Sequence, residues 1–219
     1  MPRKIFDREL AELIQQMTEV GTAVDSKIQQ TITALRTMNL ELADEVAKSD
    51  NDIDRMVRQI EKDCMDLIAL QQPIARDLRT IASCLKILTD VEREADQCAD
   101  ICEILTVGEL NGNSLAISHV TQMLEMARSM FRRSMDVLLS RNVEEARSIC
   151  RSDDDVDAMF SKIILEVCGY ITENPSNVMT EVDILFIIKY VERMGDHATN
   201  IAEWVIFMET GEHPDLNAK

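Results

Sequence analysis

Apolar residues in the first part of the chain recur at spacings of three and four: Phe6, Leu10, Leu13, Ile14, Met17, Val20, Val24, Ile28, Ile32 and Leu35. This is the period of one long helix with a single buried stripe, and it predicts a helix over about residues 4–37. The pattern predicts a second helix from Asn39 to about Leu70 and a third from Pro73, tolerated in a first helical turn, to about Thr106. Residues 107–114, VGELNGNS, read as a linker because glycine and asparagine gather there. Three further helices are predicted over about 115–140, 143–171 and 177–209. The expected fold class is all-α: two tandem three-helix bundles of six long antiparallel helices, spanning residues 1–106 and 115–210, with a tail at 211–219.

The halves are related by sequence as well as by pattern. At an offset of 103, residues 39–54 match 142–157 at seven of sixteen positions, including Asn39/Asn142, Ser49/Ser152, Asp50/Asp153 and Asp54/Asp157. At an offset of 100, residues 91–103 match 191–203 at Val, Glu, Arg, Asp, Ile and Glu. Packing alone preserves apolar character, so polar identities at these places point to a site present in both halves.

That site is legible as four acidic pairs spaced i, i+4: Asp50 with Asp54, Glu92 with Asp96, Asp153 with Asp157, and Glu192 with Asp196. The first two pairs mirror about Pro73, which is 19 residues from both Asp54 and Glu92, and the last two mirror about the Asn174–Pro175 bond. Antiparallel helices folded back at those turns bring both pairs of a half to the same height, roughly 25 to 30 Å from the turn. Residues i and i+4 lie on one helix face about 6 Å apart, so each pair is a two-pronged carboxylate clamp. Facing clamps repel unless some members are protonated or a multivalent cation sits among them. Hard cations such as magnesium take such oxygens, iron, zinc or manganese also use carboxylate-rich sites, and a multinuclear centre is open because carboxylates bridge two ions. Asp100 and Asn200, one turn beyond Asp96 and Asp196, extend the series as auxiliary candidates. Gly195, mid-helix, costs about 1 kcal/mol relative to alanine and suggests close approach of another group. His197 is offset from Asp196 around the helix and is expected behind the ligands or at the surface.

A net charge of −17 excludes a nucleic-acid binder of the usual basic kind. Residues 1–38 are neutral and residues 119–151 slightly basic, so the excess acid lies in the segments that carry the pairs. No apolar stretch is long enough for a membrane span and the N-terminus has no signal-like core, which places the chain in the cytoplasm. Six cysteines form no CxxC and fall in helical segments, as expected of reduced thiols. No Glu-x-x-His, Walker loop or Ser/His/Asp set is present, so a non-enzyme is expected. Met123, Met126 and Met130 read as core, and Arg128, Arg132 and Arg133 as solvated or as a basic patch for a partner.

The segments VERMGDHATNIAE (191–203) and VEREADQCADICE (91–103), with SDNDID and SDDDVD, resemble the repeated signature of the PhoU phosphate-regulation proteins. The resemblance covers nearly the whole chain. It implies a cytoplasmic, often dimeric regulator that binds multinuclear iron or another metal through these acids, and that negatively controls phosphate uptake and the phosphate-starvation response. Its implied partners are the ATPase subunit of the phosphate ABC transporter and the phosphate sensor histidine kinase, with membrane contact only through them. The first copy departs from the signature at Ala95, Gln97, Asp100 and Cys102. Two other readings of the acids stand beside this one: a carboxylate-bridged metal enzyme, and a structural bundle whose acids serve solubility.

Overall fold

The computed structural model describes residues 2–108, 110, 115–212 and 214; the side chains of residues 2, 3, 50, 51 and 115 are outside that description. The helices are α1 (Pro2–Thr37), α2 (Leu40–Lys48), α3 (Asp50–Gln71), α4 (Arg76–Val107), α5 (Leu115–Ser140), α6 (Val143–Glu173) and α7 (Val178–Thr210). Among the described residues there is no strand. The three-helix unit therefore occurs twice, with its second helix divided into α2 and α3 in the first half.

Both units open with the same turn. Met38 and Arg141 take positive φ, 51° and 56°, and end α1 and α5 in the left-handed region. Asn39 and Asn142 then cap the next helix, their side chains accepting from the backbone N–H of Leu42 and Glu145, both at 3.1 Å. Each cap contributes about 1 kcal/mol, which offsets much of the cost of a non-glycine residue at positive φ.

Two expectations change. The second helix, expected to run unbroken from Asn39, is interrupted at Ser49, whose backbone N–H and hydroxyl both bond the Val46 carbonyl, at 3.3 and 2.9 Å. That three-residue reach tightens the turn. Ser152, its counterpart, bonds the Ser148 carbonyl four residues back, at 3.0 Å, and α6 runs through. The third helix begins at Arg76, and Pro73 lies in the connection, because Gln72 and Ala75 take φ of 46° and 44°. A residue preceding proline is sterically disfavoured in the α region, so α3 ends there.

The core is continuous across both halves. α1 packs on α4 and α5, and α7 on α4 and α5, giving a central four-helix layer with α2 and α3 on one flank and α6 on the other. The methionine stripe serves this core, with Met123 and Met130 buried and Met126 packed against it. α4 and α7 run antiparallel: Arg79 bonds the Met208 carbonyl and Asp90 meets His197. Combined with the offset of 100, this pairing places an approximate two-fold axis across the helices near residues 93–94 and 193–194. The axis relates the two halves and sends their acidic pairs to opposite flanks.

Candidate metal centre

In the second half, α6 carries Asp153 and Asp157 and α7 carries Glu192 and Asp196. The four act on one another. Burial pushes the Asp153 carboxyl up to about 6, aided by the charges of Asp196, Asp157 and Glu192 in that order. Asp196 keeps an exposed edge, yet partial burial and then Glu192 raise it as well. Among the described residues the one cation in a salt bridge with the group is Lys189, 2.5 Å from Glu192. The expected close approach at Gly195 is present: a Cβ there would stand 2.9 Å from Asp153 Oδ1 and 3.4 Å from Val156 Cγ1. Glycine lets the Asp153 carboxylate lie against the backbone of α7.

Gly195→Ala is therefore expected to push this carboxylate out of place. Alanine adds about 1 kcal/mol of helix propensity, which offsets part of that displacement, so thermal stability should change little. Metal retained through purification should fall, as read by elemental mass spectrometry; a full complement in the variant would remove Asp153 from the ligand set.

In the first half, α3 carries Asp54 and α4 carries Glu92 and Asp96, while the side chain of Asp50 lies outside the described residues. Glu92 is raised by burial and then by Asp96 and Asp54, with Arg93 opposing and Glu61 adding. Here arginines occupy the rim: Arg58 is 3.4 Å from Asp54 and Arg93 is 2.9 Å from Asp96. Glu61 was not expected. Its signal was the seven-residue spacing from Asp54, two turns along the same face.

Asp100 and Asn200 are not brought to the clusters. Each four-residue step rotates about 40° around a helix, so the second step from Glu92 or Glu192 has swung about 80° towards the α4–α7 seam. Asn200 Nδ2 donates to Asp90 Oδ1 at 3.1 Å, and His197 Nδ1 meets the same oxygen at 2.9 Å. His197 thus ties the two halves together. Asp100 lines a groove at the far end of the same seam. Cys98 and Cys102 are fully buried core residues. Of the arginines on α5, Arg128 is held by Asp25 and Gln29, and Arg133 by Glu145, Ser148 and Ser152.

Among the described residues no three His, Cys, Asp or Glu side chains stand ready to hold one ion together. The donor chemistry of Asp153, Asp157, Glu192 and Asp196 nevertheless fits a hard cation, and positive charge among them would relieve the repulsion that adds to burial in raising Asp153. The carboxylates have to draw together to do so.

Comparison with known proteins follows the same division of the chain. The family model described as PhoU domain matches residues 17–105 and again 120–205. The chain belongs to the PhoU domain family. A PhoU relative from Clostridium acetobutylicum, named a phosphate-specific transport system accessory protein PhoU homolog, is 36% identical over 99% of this chain and 100% of its own length. One of the same name from Rhizobium meliloti is 34% identical over 95% of this chain and 89% of its own. The crystal structure of the phosphate transport system regulatory protein PhoU from Streptococcus pneumoniae superposes with a TM-score of 0.89 at 29% identity, covering 96% of this chain and all of that one. PhoU from Pseudomonas aeruginosa gives 0.88 at 27% identity over 94% of this chain and 100% of its own.

Proposed function

We propose that this PhoU-family chain is a cytoplasmic, metal-binding adaptor that negatively regulates phosphate uptake and phosphate-starvation signalling. The observation that carries the reading is the mutual influence of Asp153, Asp157, Glu192 and Asp196 beside Gly195, in a chain whose relatives are named accessory proteins of the phosphate transport system. These four residues hold the metal on one flank; Asp54, Glu92 and Asp96, with Asp50, hold a second on the other. Iron, zinc, manganese or magnesium would supply positive charge there, and no turnover is required of it. The partners on this reading are the ATPase subunit of the phosphate ABC transporter and the phosphate sensor histidine kinase, met by a homodimer. No helix among the described residues is long and apolar enough to cross a membrane, which accords with contact made only through such partners.

The test is complementation of a deletion strain with the wild-type chain and with Asp153→Asn, Asp157→Asn, Glu192→Gln and Asp196→Asn combined. The wild type is expected to restore repression of phosphate uptake and of phosphatase expression in phosphate-rich medium, and to carry metal after purification. The variant should fold, lose most of its metal and fail to repress. Repression by the metal-free variant would leave an adaptor without a metal role; a deletion without phenotype would remove the adaptor reading.

A further inference from the structure

The α4–α7 pair has two ends related by the two-fold axis, and among the described residues arginines close one of them and not the other. Where α7 ends, Arg79 Nε donates to the Met208 carbonyl at 3.1 Å, and its guanidinium crosses Gly211, where a Cβ would stand 2.9 Å from Nη1. Arg76 and Arg141 reach Glu209 at 2.9 and 3.3 Å. Three cations thus gather on the negative end of the helix dipole and its last carbonyls.

At the other end, where α4 stops, the repeat places Met179, Ser176 and Met38 at the positions of Arg79, Arg76 and Arg141. None is basic, and the last turn of α4 has no basic residue either. Acid is present there: Glu103 and Asp183 border the opening. Among the described residues no ion pair reaches Glu103 or Asp183. Instead there is a groove of about 530 Å3 lined by Glu103, Ile104, Val107, Met179 and Asp183. Val107 and Met179 are 79% and 70% exposed, so the apolar floor is open to solvent.

We propose that this groove docks a basic, partly apolar segment of a partner protein, which supplies in trans the arginine that Arg79 supplies from within the chain at the opposite end. Apolar side chains of the segment cover Val107 and Met179, while its guanidinium meets Glu103, Asp183 and the terminal carbonyls of α4 in charge-assisted hydrogen bonds. The acidic rim repels an anionic membrane surface and nucleic acid alike. This inference deepens the adaptor reading and rests on it for the existence of a partner. The binding assay uses the isolated full-length chain, so its outcome and that of the deletion strain are independent.

The probe is a labelled amphipathic peptide with two arginines spaced i, i+3 between leucines, compared by fluorescence anisotropy with a twin carrying citrulline at both places. The arginine peptide is expected to bind at least about tenfold tighter, the worth of one charge-assisted hydrogen bond. Glu103→Gln with Asp183→Asn should erase that difference. Met179→Arg, which installs the counterpart of Arg79, should abolish binding with the helical content and melting temperature maintained. Equal binding of the twins, or undiminished binding to the charge-neutralised or Met179→Arg chain, overturns the proposal. So does a concentration-dependent dimer that Met179→Arg dissolves, since the groove would then belong to a second copy.

Discussion

Replacing Glu94 by methionine is expected to stabilise the protein at pH 8, although it deletes a charged residue from an acidic helix. Glu94 is fully buried in α4, and among the described residues neither carboxylate oxygen has a hydrogen-bond partner. Burial, and then the charge of Asp90 one turn away, hold its carboxyl well above the ordinary value of 4.5. Lys27 on α1 lies in the same region, where its charge opposes that of Glu94 at Cys98. A carboxyl whose folded-state pKa is raised contributes its full stability below the ordinary glutamate range and loses it as pH rises towards the folded value. The second half supplies the replacement: at the offset of 100 stands Met194, fully buried in the same environment across the two-fold axis. Removing an unpartnered buried acid in favour of a well-packed apolar side chain is worth about 1 to 4 kcal/mol. In a chain of this length each kcal/mol raises the melting temperature by about 2 to 4 °C. The advantage of Glu94→Met should shrink as pH falls and level off below pH 4.5. Thermal denaturation across pH decides it; a variant less stable than wild type at pH 8 would show that Glu94 has a strong cationic partner in solution.

Asp153→Asn should act in the same direction at the candidate metal centre, and only while the centre is empty. With its carboxyl pushed up to about 6 from an ordinary 3.8, the folded state holds the proton more tightly than the unfolded chain. Stability of the metal-free protein is then greatest below the ordinary value and declines as pH rises through the interval to 6. The decline is at most about 3 kcal/mol, because each tenfold difference in proton affinity between the two states corresponds to about 1.4 kcal/mol. Water reaching the half-buried carboxyl screens the repulsion and keeps the decline below that bound. Asparagine removes it, so the metal-free variant should melt higher than wild type at pH 7, with a flatter pH profile. Adding manganese or ferrous iron should reverse the order, raising wild type and leaving the variant unmoved. Equal responses of both to metal, or a wild-type profile without the decline, would separate Asp153 from ion binding.

Much of this architecture is legible in the sequence because it is periodic. The apolar stripe of α1 gives a helix of nearly the observed length, and the identities around Asp50/Asp153 and Glu92/Glu192 disclose the duplication. The mirror positions of the acids about the two turns set them across from one another, and in the second half, on top of burial, Asp196 adds to the rise of Asp153 and Asp157 to that of Asp196, from helix to helix. What escapes is decided by single contacts. Ser49 and Ser152 are the same residue in the same repeat, and the carbonyls they bond differ: backbone N–H and hydroxyl of Ser49 both reach three residues back where the helix breaks, and the Ser152 hydroxyl reaches four back where it continues. Asp90 and Glu94 lie in a charged stretch, TDVEREADQ, and both are nevertheless buried, Asp90 against His197 and Asn200 of α7. Asp100 and Asn200 follow the spacing of the pairs faithfully and still leave the site, because a helix turns about 100° per residue rather than 90°.

The two-fold axis between α4 and α7 gives the molecule the architecture of a homodimer whose subunits have been fused. A symmetric dimer of half-length chains, pairing through the third helix, would show two identical clusters on opposite flanks and two identical ends. In a single chain neither copy has to serve both places. The interrupted helix beside the first cluster, Gly195 at the second, and Arg79 at one end where the other has Met179 are differences a symmetric dimer could not hold. The chain thus has direction: its two ends, alike in backbone, offer different chemistry to whatever approaches them.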